Sequence, residues 1–105
     1  MAVDAARFRE FALSEPGAVV GAHGGHADFR IGKVFASLPA PGFGMVKLTP
    51  HEQELFMAEA PDAFFPAAGS WGAKGYTRVA LDRVDEASLR SAIRAAAAGM
   101  ETTKR

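Results

Sequence analysis

Residues 23 to 38 read His-Gly-Gly-His-Ala-Asp-Phe-Arg-Ile-Gly-Lys-Val-Phe-Ala-Ser-Leu. Two apolar-rich runs, 27–31 and 34–38, flank the pair Gly32-Lys33. A Gly-X pair between β-type runs predicts two strands joined by a two-residue type II′ turn. The segment is also dense in polar side chains, so we expect any binding chemistry of the protein to begin in this hairpin.

Three further segments predict helices: residues 4 to 14, a segment from Pro50, and a segment after residue 85. Each begins at a side chain that can accept a hydrogen bond from the first turn: Asp4, Thr49 and Asp85. The second also has Glu52 where a capping box needs an acid, and we expect it to bury Leu55 and Phe56. The third is expected to end at Gly99, since glycine favours the position after a helix.

Strands are predicted by alternation at 44–48 and 76–81, with a short first strand at 18–22. Residues 38–42, with Pro39 and Pro41, predict a break in the ladder, and 61–75 predict an irregular aromatic loop. Hairpin-connected strands beside separate helices indicate an α+β fold, an antiparallel sheet with three helices packed on one face. The other face of the sheet would then be free.

Composition narrows the class of protein. A chain of 105 residues fits one domain, residues 1–105, with a tail frayed from about residue 100. The absence of cysteine excludes a disulfide framework and a thiolate zinc site. Twelve basic and twelve acidic residues balance, so any nucleic-acid binding must come from a local patch. We expect a cytoplasmic monomer or weak dimer with no membrane partner.

Five blocks of the sequence resemble the MmcQ/YjbR-like family in order and spacing: 13–17, 23–30, 32–38, 47–50 and 71–79. The resemblance implies a compact α+β fold similar to the CyaY arrangement and described as a double wing. It also implies a DNA-binding protein with no catalytic residues. We expect no cofactor. One departure is visible, because many relatives carry an acidic residue where this chain has Val19-Val20.

Basic and aromatic side chains support the DNA-binding hypothesis if the strands align as the resemblance implies. The candidate nucleic-acid-binding residues are Arg30, Lys33, Lys47, Trp71, Lys74, Tyr76 and Arg78. A basic sheet face with aromatic rings can hold phosphates and stack bases. In the alternative interpretation this is a solvated face whose charge is balanced by Glu52, Glu54, Glu59 and Asp62, with Trp71 buried as a lid on the core.

A second hypothesis starts from His23, His26 and Asp28, the candidate ligand-binding residues. With Arg30 and Trp71, the two histidines would line a pocket at the sheet edge of a non-enzymatic protein- or small-ligand-binding module.

Metal binding and hydrolysis are less favoured chemistries for the same residues. His23, His26 and Asp28 are not spaced along a helix, and His51 is the one further candidate ligand, so we expect no metal. A triad of Asp28 and a histidine with Ser37 or Ser14 lacks a nucleophile elbow. We therefore expect no enzymatic activity.

Overall fold

A computed structural model describes residues 3–23 and 25–102, and within them the side chains of His23, Glu101 and Thr102 lie outside the description. In chain order the elements are α1 (Ala5–Leu13), β1 (Val19–His23), β2 (His26–Ile31), β3 (Lys33–Ala40), β4 (Phe43–Lys47), α2 (Pro50–Glu59), β5 (Phe64–Pro66), α3 (Ser70–Ala73), β6 (Tyr76–Ala80) and α4 (Glu86–Thr102). The strands form one sheet in the order β1-β2-β3-β4-β6-β5, and every neighbouring pair is antiparallel.

The core lies between one face of this sheet and the helices α1, α2 and α4. Phe8 of α1 contacts Phe29 of β2 with ring centres 6.0 Å apart, and Phe56 of α2 contacts Phe64 of β5 at 5.2 Å. Leu89 on α4 is fully buried in the same cluster. The predicted α+β fold, an antiparallel sheet with three helices on one face, is confirmed, and the short α3 is an additional helix.

The predicted helix starts are confirmed by their hydrogen bonds. Thr49 Oγ1 accepts from the Glu52 N–H at 3.1 Å, and Glu52 Oε1 accepts from the Thr49 N–H at 3.0 Å, which completes the capping box. The carboxylates of Asp4 and Asp85 each accept from the backbone N–H three residues later, at 2.9 and 2.7 Å. Each cap satisfies a donor that the first helical turn leaves without a partner.

The central hairpin forms, but its turn differs from the predicted one. The register pairs Arg30 with Val34 and Ile31 with Lys33, so Gly32 alone is the centre of the turn. Gly32 has a φ of 79°, a conformation that other residues adopt at a cost. The predicted two-residue Gly32-Lys33 loop is therefore wrong, although the strand–turn–strand unit is right.

A bulge in β3 then changes which side chains share a face. Phe29 pairs with Ala36, so Phe35 is the extra residue in β3, and both Phe35 and Ala36 are buried. Val34 and Ser37 consequently emerge together on the opposite side of the sheet. An uninterrupted alternation would have separated them.

Two predicted irregular segments are only partly right. The strand β3 continues through Pro39 to Ala40, because a register shift after Ser37 removes the need for an N–H at the proline, and the chain turns within the predicted break, at Pro41-Gly42. The segment 61–75, predicted to be irregular, contains β5 and α3.

The ends and buried faces of two helices differ from expectation. The helix α4 continues through Gly99 because Met100 packs into the core, and it extends past the predicted start of the frayed tail; residues 103–105 lie outside the described part. In α2 the predicted Leu55 is 57% exposed, and the buried residue is Gln53. A glutamine is buried there because the segment that contains α3 and β6 offers its side chain hydrogen-bond acceptors.

Candidate functional site

The sheet surface opposite α1, α2 and α4 is called the open face here. Its cross-strand register forms one row of side chains over five strands: Asp28, Ser37, Met45, Arg78 and Phe65. In a neighbouring row Arg30 pairs with Val34, and Lys47 pairs with Tyr76. The short helix α3 lies at the edge of this surface and sets Trp71 against Tyr76, with ring centres 5.0 Å apart and the rings perpendicular.

Charge is distributed unevenly between the sheet and the helices. The strands as described contain a single acidic residue, Asp28, against Arg30, Lys33, Lys47 and Arg78. The remaining acidic residues of the described chain lie on helices and in loops. A chain with no net charge therefore has a predominantly basic sheet.

Asp28 and Arg30 form a forked ion pair on the open face. Arg30 Nε donates to Asp28 Oδ1 at 2.8 Å, and Arg30 Nη2 donates to Oδ2 at 3.1 Å. Asp28 is only 3% exposed, and its hydrogen bonds raise the pKa of Arg30 above its ordinary value. Much of the charge of Arg30 is thus balanced within the protein, which weakens it as a phosphate ligand relative to the prediction.

Gly21 on β1 provides the space for this ion pair. It pairs with Asp28, and a Cβ at this position would lie 2.8 Å from Asp28 Oδ1 and 3.0 Å from Arg30 Nε. The sequence contained a signal for the fork, since an acid and a base two residues apart in a strand share a face.

The second cluster combines cations with aromatic rings. Trp71 is 57% exposed, which excludes its alternative role as a buried lid on the core. Lys74 Nζ lies 5.3 Å from the centre of the Trp71 ring, and Lys47 Nζ lies 5.1 Å from that of Tyr76. Lys47 Nζ also donates to the Lys74 carbonyl oxygen at 3.3 Å. These four predicted residues are therefore brought together.

The two remaining predicted cations lie outside this cluster, although Lys33 borders one hollow together with Lys47 and Tyr76. The Arg78 guanidinium stacks over Phe43 at 4.6 Å in the adjacent row of the open face. Lys33 pairs with Ile31, whose side chain is in the core, and leaves the strand on the helix side. It contributes with Lys47 to a hollow of about 250 Å³ at the end of the sheet, but it is not part of the open face.

An apolar groove connects the ion pair with the aromatic cluster. One hollow of about 380 Å³ is bordered by His26, Asp28 and Arg30, and a second of about 460 Å³ is bordered by Trp71 and Tyr76. The hollows adjoin because they share two lining residues, and most of the remaining lining is apolar. The apolar lining residues are Ala27, Val34, Pro39, Met45, Ala67 and Ala68.

A family model described as YjbR matches residues 13–96 of the chain. The chain belongs to the YjbR family. The matched segment contains all six strands and therefore the whole open face. No curated protein and no solved structure matches the chain significantly.

The residues predicted to bind a ligand in this YjbR-family chain, which were also considered and disfavoured as metal ligands, are only partly brought together. His26 and Asp28 border the same hollow, whereas the side chain of His23 lies outside the described residues. His51 lies in the first turn of α2. Among the side chains that the structure describes, no group of three histidine, aspartate or glutamate residues is arranged to hold a metal ion.

Two of the residues considered for a hydrolytic triad, Asp28 and Ser14, make other hydrogen bonds. Ser37 pairs with Asp28 across β2 and β3, but the Asp28 carboxylate is engaged by Arg30. Ser14 donates to the Phe11 carbonyl at the end of α1.

Sequence reasoning missed one residue that positions the aromatic cluster of the YjbR-family chain. Gln53 Nε2 donates to the carbonyl oxygens of Gly72 and Tyr76 at 3.0 and 3.1 Å, and to Thr77 Oγ1 at 3.1 Å. Because the two carbonyl oxygens can only accept hydrogen bonds, the amide group of Gln53 must point its nitrogen toward them. Gln53 thus ties α2 to the segment that carries Trp71, and no local sequence pattern indicates it.

Proposed function

We propose that the protein binds DNA through the open face and has no enzymatic activity. The supporting observation is the separation of charge: the described acidic residues other than Asp28 are on helices and in loops, while Lys47 and Lys74 lie beside the Trp71–Tyr76 ring pair and Arg78 lies in the adjacent row of the sheet. Cations that contact phosphates supply most of the affinity for DNA, and aromatic rings add stacking.

The individual cations have different expected roles. Lys74 lies beside the exposed Trp71 ring and Lys47 beside the half-buried Tyr76 ring, so a phosphate there would meet two ammonium groups and an aromatic surface. Arg78 extends the basic area into the next row. Arg30 is engaged by Asp28 and is expected to contribute less.

The apolar groove favours a second candidate, a non-enzymatic module that binds a small ligand or a protein segment. Its two hollows are within the usual size range of ligand sites, about 300–1,000 Å³, and few polar groups border them. Such binding depends mainly on apolar burial and would respond weakly to salt. DNA binding would weaken steeply as salt rises.

The test is fluorescence anisotropy with a short labelled duplex at low and moderate salt. The double variant Lys47→Gln/Lys74→Gln removes two cations of the cluster. Its matched control, Arg9→Gln/Arg94→Gln, removes two cations from helices on the opposite side. We expect the first variant to lower affinity and to reduce the salt slope by about 0.9 for each phosphate that the protein no longer neutralises. The control should bind like the parent protein.

Two outcomes would remove the proposal. The first is no duplex binding at low salt, where the electrostatic contribution is largest. The second is an equal effect of the two double variants, which would mean that binding follows total charge and not the open face.

A further inference from the structure

We propose that the groove beside Trp71 binds an unpaired nucleobase, so that the preferred ligand is single-stranded nucleic acid. This inference rests on the proposed function and specifies the form of nucleic acid. The base would occupy the 460 Å³ hollow between Trp71, Tyr76 and the surface of β3 and β4. Its neighbouring phosphate would lie at Lys47 and Lys74.

Trp71 lines the hollow and is already held where a planar ligand can stack on it. The edge-to-face contact with Tyr76 and the short helix α3 hold Trp71 in place while leaving 57% of it exposed. Gln53 secures the same helix through the Gly72 carbonyl. A ring that is already ordered loses little conformational freedom when a base stacks on it.

The floor of the hollow suits a base and not a phosphate. It is formed by Val34, Met45, Ala67 and Ala68, whose side chains offer apolar contact and no charge. A phosphate there would lose its hydration without gaining a partner. In a duplex the base faces are covered by stacking, so only an unpaired base can present its π surface to this floor.

The charges at the rim complement a nucleotide. Lys74 and Lys47 have their ammonium groups 5.3 and 5.1 Å from the ring centres of Trp71 and Tyr76, and neither lysine lines the hollow itself. No acidic side chain borders this hollow within the part of the chain that the structure describes. One nucleotide could therefore place its base on the apolar floor and its phosphate between the two cations.

Trp71 provides a direct readout because it is the only tryptophan of the chain. Oligothymidylate, a duplex of equal nucleotide content and oligouridylate are titrated at one low salt concentration, with Trp71 fluorescence as the signal. We expect the single strands to quench the fluorescence and to bind about tenfold or more tightly than the duplex. The two single strands distinguish DNA from RNA as the source of the base, and preference for either supports the inference.

A variant separates stacking from general affinity. Trp71→Leu is followed by anisotropy of labelled oligonucleotides, with circular dichroism to verify folding. It should lose most of the single-strand preference and keep duplex binding. The control is Leu55→Ala, which alters an equally exposed side chain on α2 and should change neither.

The possible failures are distinguishable. If the parent protein binds the duplex at least as well as the single strands, the inference is wrong and the proposed function stands. The inference is also wrong if Trp71→Leu weakens both forms equally. If neither form binds at low salt, both the inference and the proposed function fall.

Discussion

Replacing Gln53 by alanine should destabilise the protein and loosen the segment that carries Trp71. The Gln53 amide has two hydrogens and three acceptors within 3.1 Å, so the substitution removes the equivalent of about two hydrogen bonds. At about 0.5–1.5 kcal/mol each, with about 0.8 kcal/mol for a buried methylene, the expected loss is about 2–4 kcal/mol.

The loss is not expected to be larger, because the two carbonyls keep other donors. The Gly72 oxygen also accepts from the Gly75 N–H at 3.0 Å, and the Tyr76 oxygen accepts from the Ala67 N–H at 2.9 Å. Neither carbonyl is therefore left wholly without a partner, which would cost a further desolvation penalty.

The assay is urea unfolding followed by circular dichroism. Gln53→Ala should lower the midpoint with an unchanged slope, and Gln53→Leu should recover only the packing part of the loss. Glu54→Ala, at an exposed position on the same helix, is the control. If the stability of Gln53→Ala lies within about 0.5 kcal/mol of the parent protein, the amide does not hold this segment and the reasoning is refuted.

Three further changes test other parts of the structure. Gly75→Ala should destabilise the fold by at least about 1–3 kcal/mol, measured by urea unfolding. The reason is that Gly75 has a φ of 105° and a Cβ there would overlap the Leu48 carbonyl oxygen. A variant as stable as the wild type would contradict this geometry. Phe35→Ala should lower the free energy of unfolding by about 3–5 kcal/mol in the same assay. A decrease below about 1 kcal/mol would contradict the burial of Phe35 in the bulge. The hydrogen bond from Arg7 lowers the pKa of Glu86, so this pair stabilises the fold above the ordinary pKa of 4.5 and loses its effect as pH falls through the lowered value. Glu86→Gln should therefore lower the melting temperature near neutral pH, with a difference that closes in acid; a constant difference would contradict the pairing.

Local signals in the sequence predicted the parts of the fold that local chemistry determines. The caps at Asp4, Thr49 and Asp85 depend on residues three positions apart, and all three form as expected. The strand 76–80 follows its alternation, with Thr77 and Val79 buried. These features need no information about a partner element.

The errors arose where a distant element decides the structure. Phe35 occupies a bulge because β2 and β3 change register, and Lys33 leaves the open face because the turn is centred on Gly32. Gln53 is buried and Leu55 exposed because acceptors from the segment after β5 meet α2 on that side. A sequence pattern that spans about ten residues cannot indicate such contacts between distant elements.

The candidate site also contains some features that the sequence predicted and others that depend on distant elements. Lys47, Trp71, Lys74 and Tyr76 were predicted as parts of one basic and aromatic sheet surface, and the register of β4 with β6 brings them together. A pocket bordered by His26, Arg30 and Trp71 was predicted, but its apolar lining was not, since that lining depends on the bulge that turns Val34 toward the open face.

The zero net charge of the chain is a poor guide to its behaviour at the open face. The molecule measures 32 × 27 × 25 Å, and a ligand in the hollow beside Trp71 has no described acidic side chain at its border, whereas Asp62 and Asp82 border the end of the open face near Phe43. At physiological ionic strength the screening length is about 8 Å, so a ligand beside Trp71 responds mainly to Lys47 and Lys74. At about 0.01 M salt the screening length is about 30 Å and exceeds the thickness of the protein. The helix carboxylates then oppose the cations, so a plot of log affinity against log salt should flatten at low salt, whereas a uniformly basic protein would continue to gain affinity.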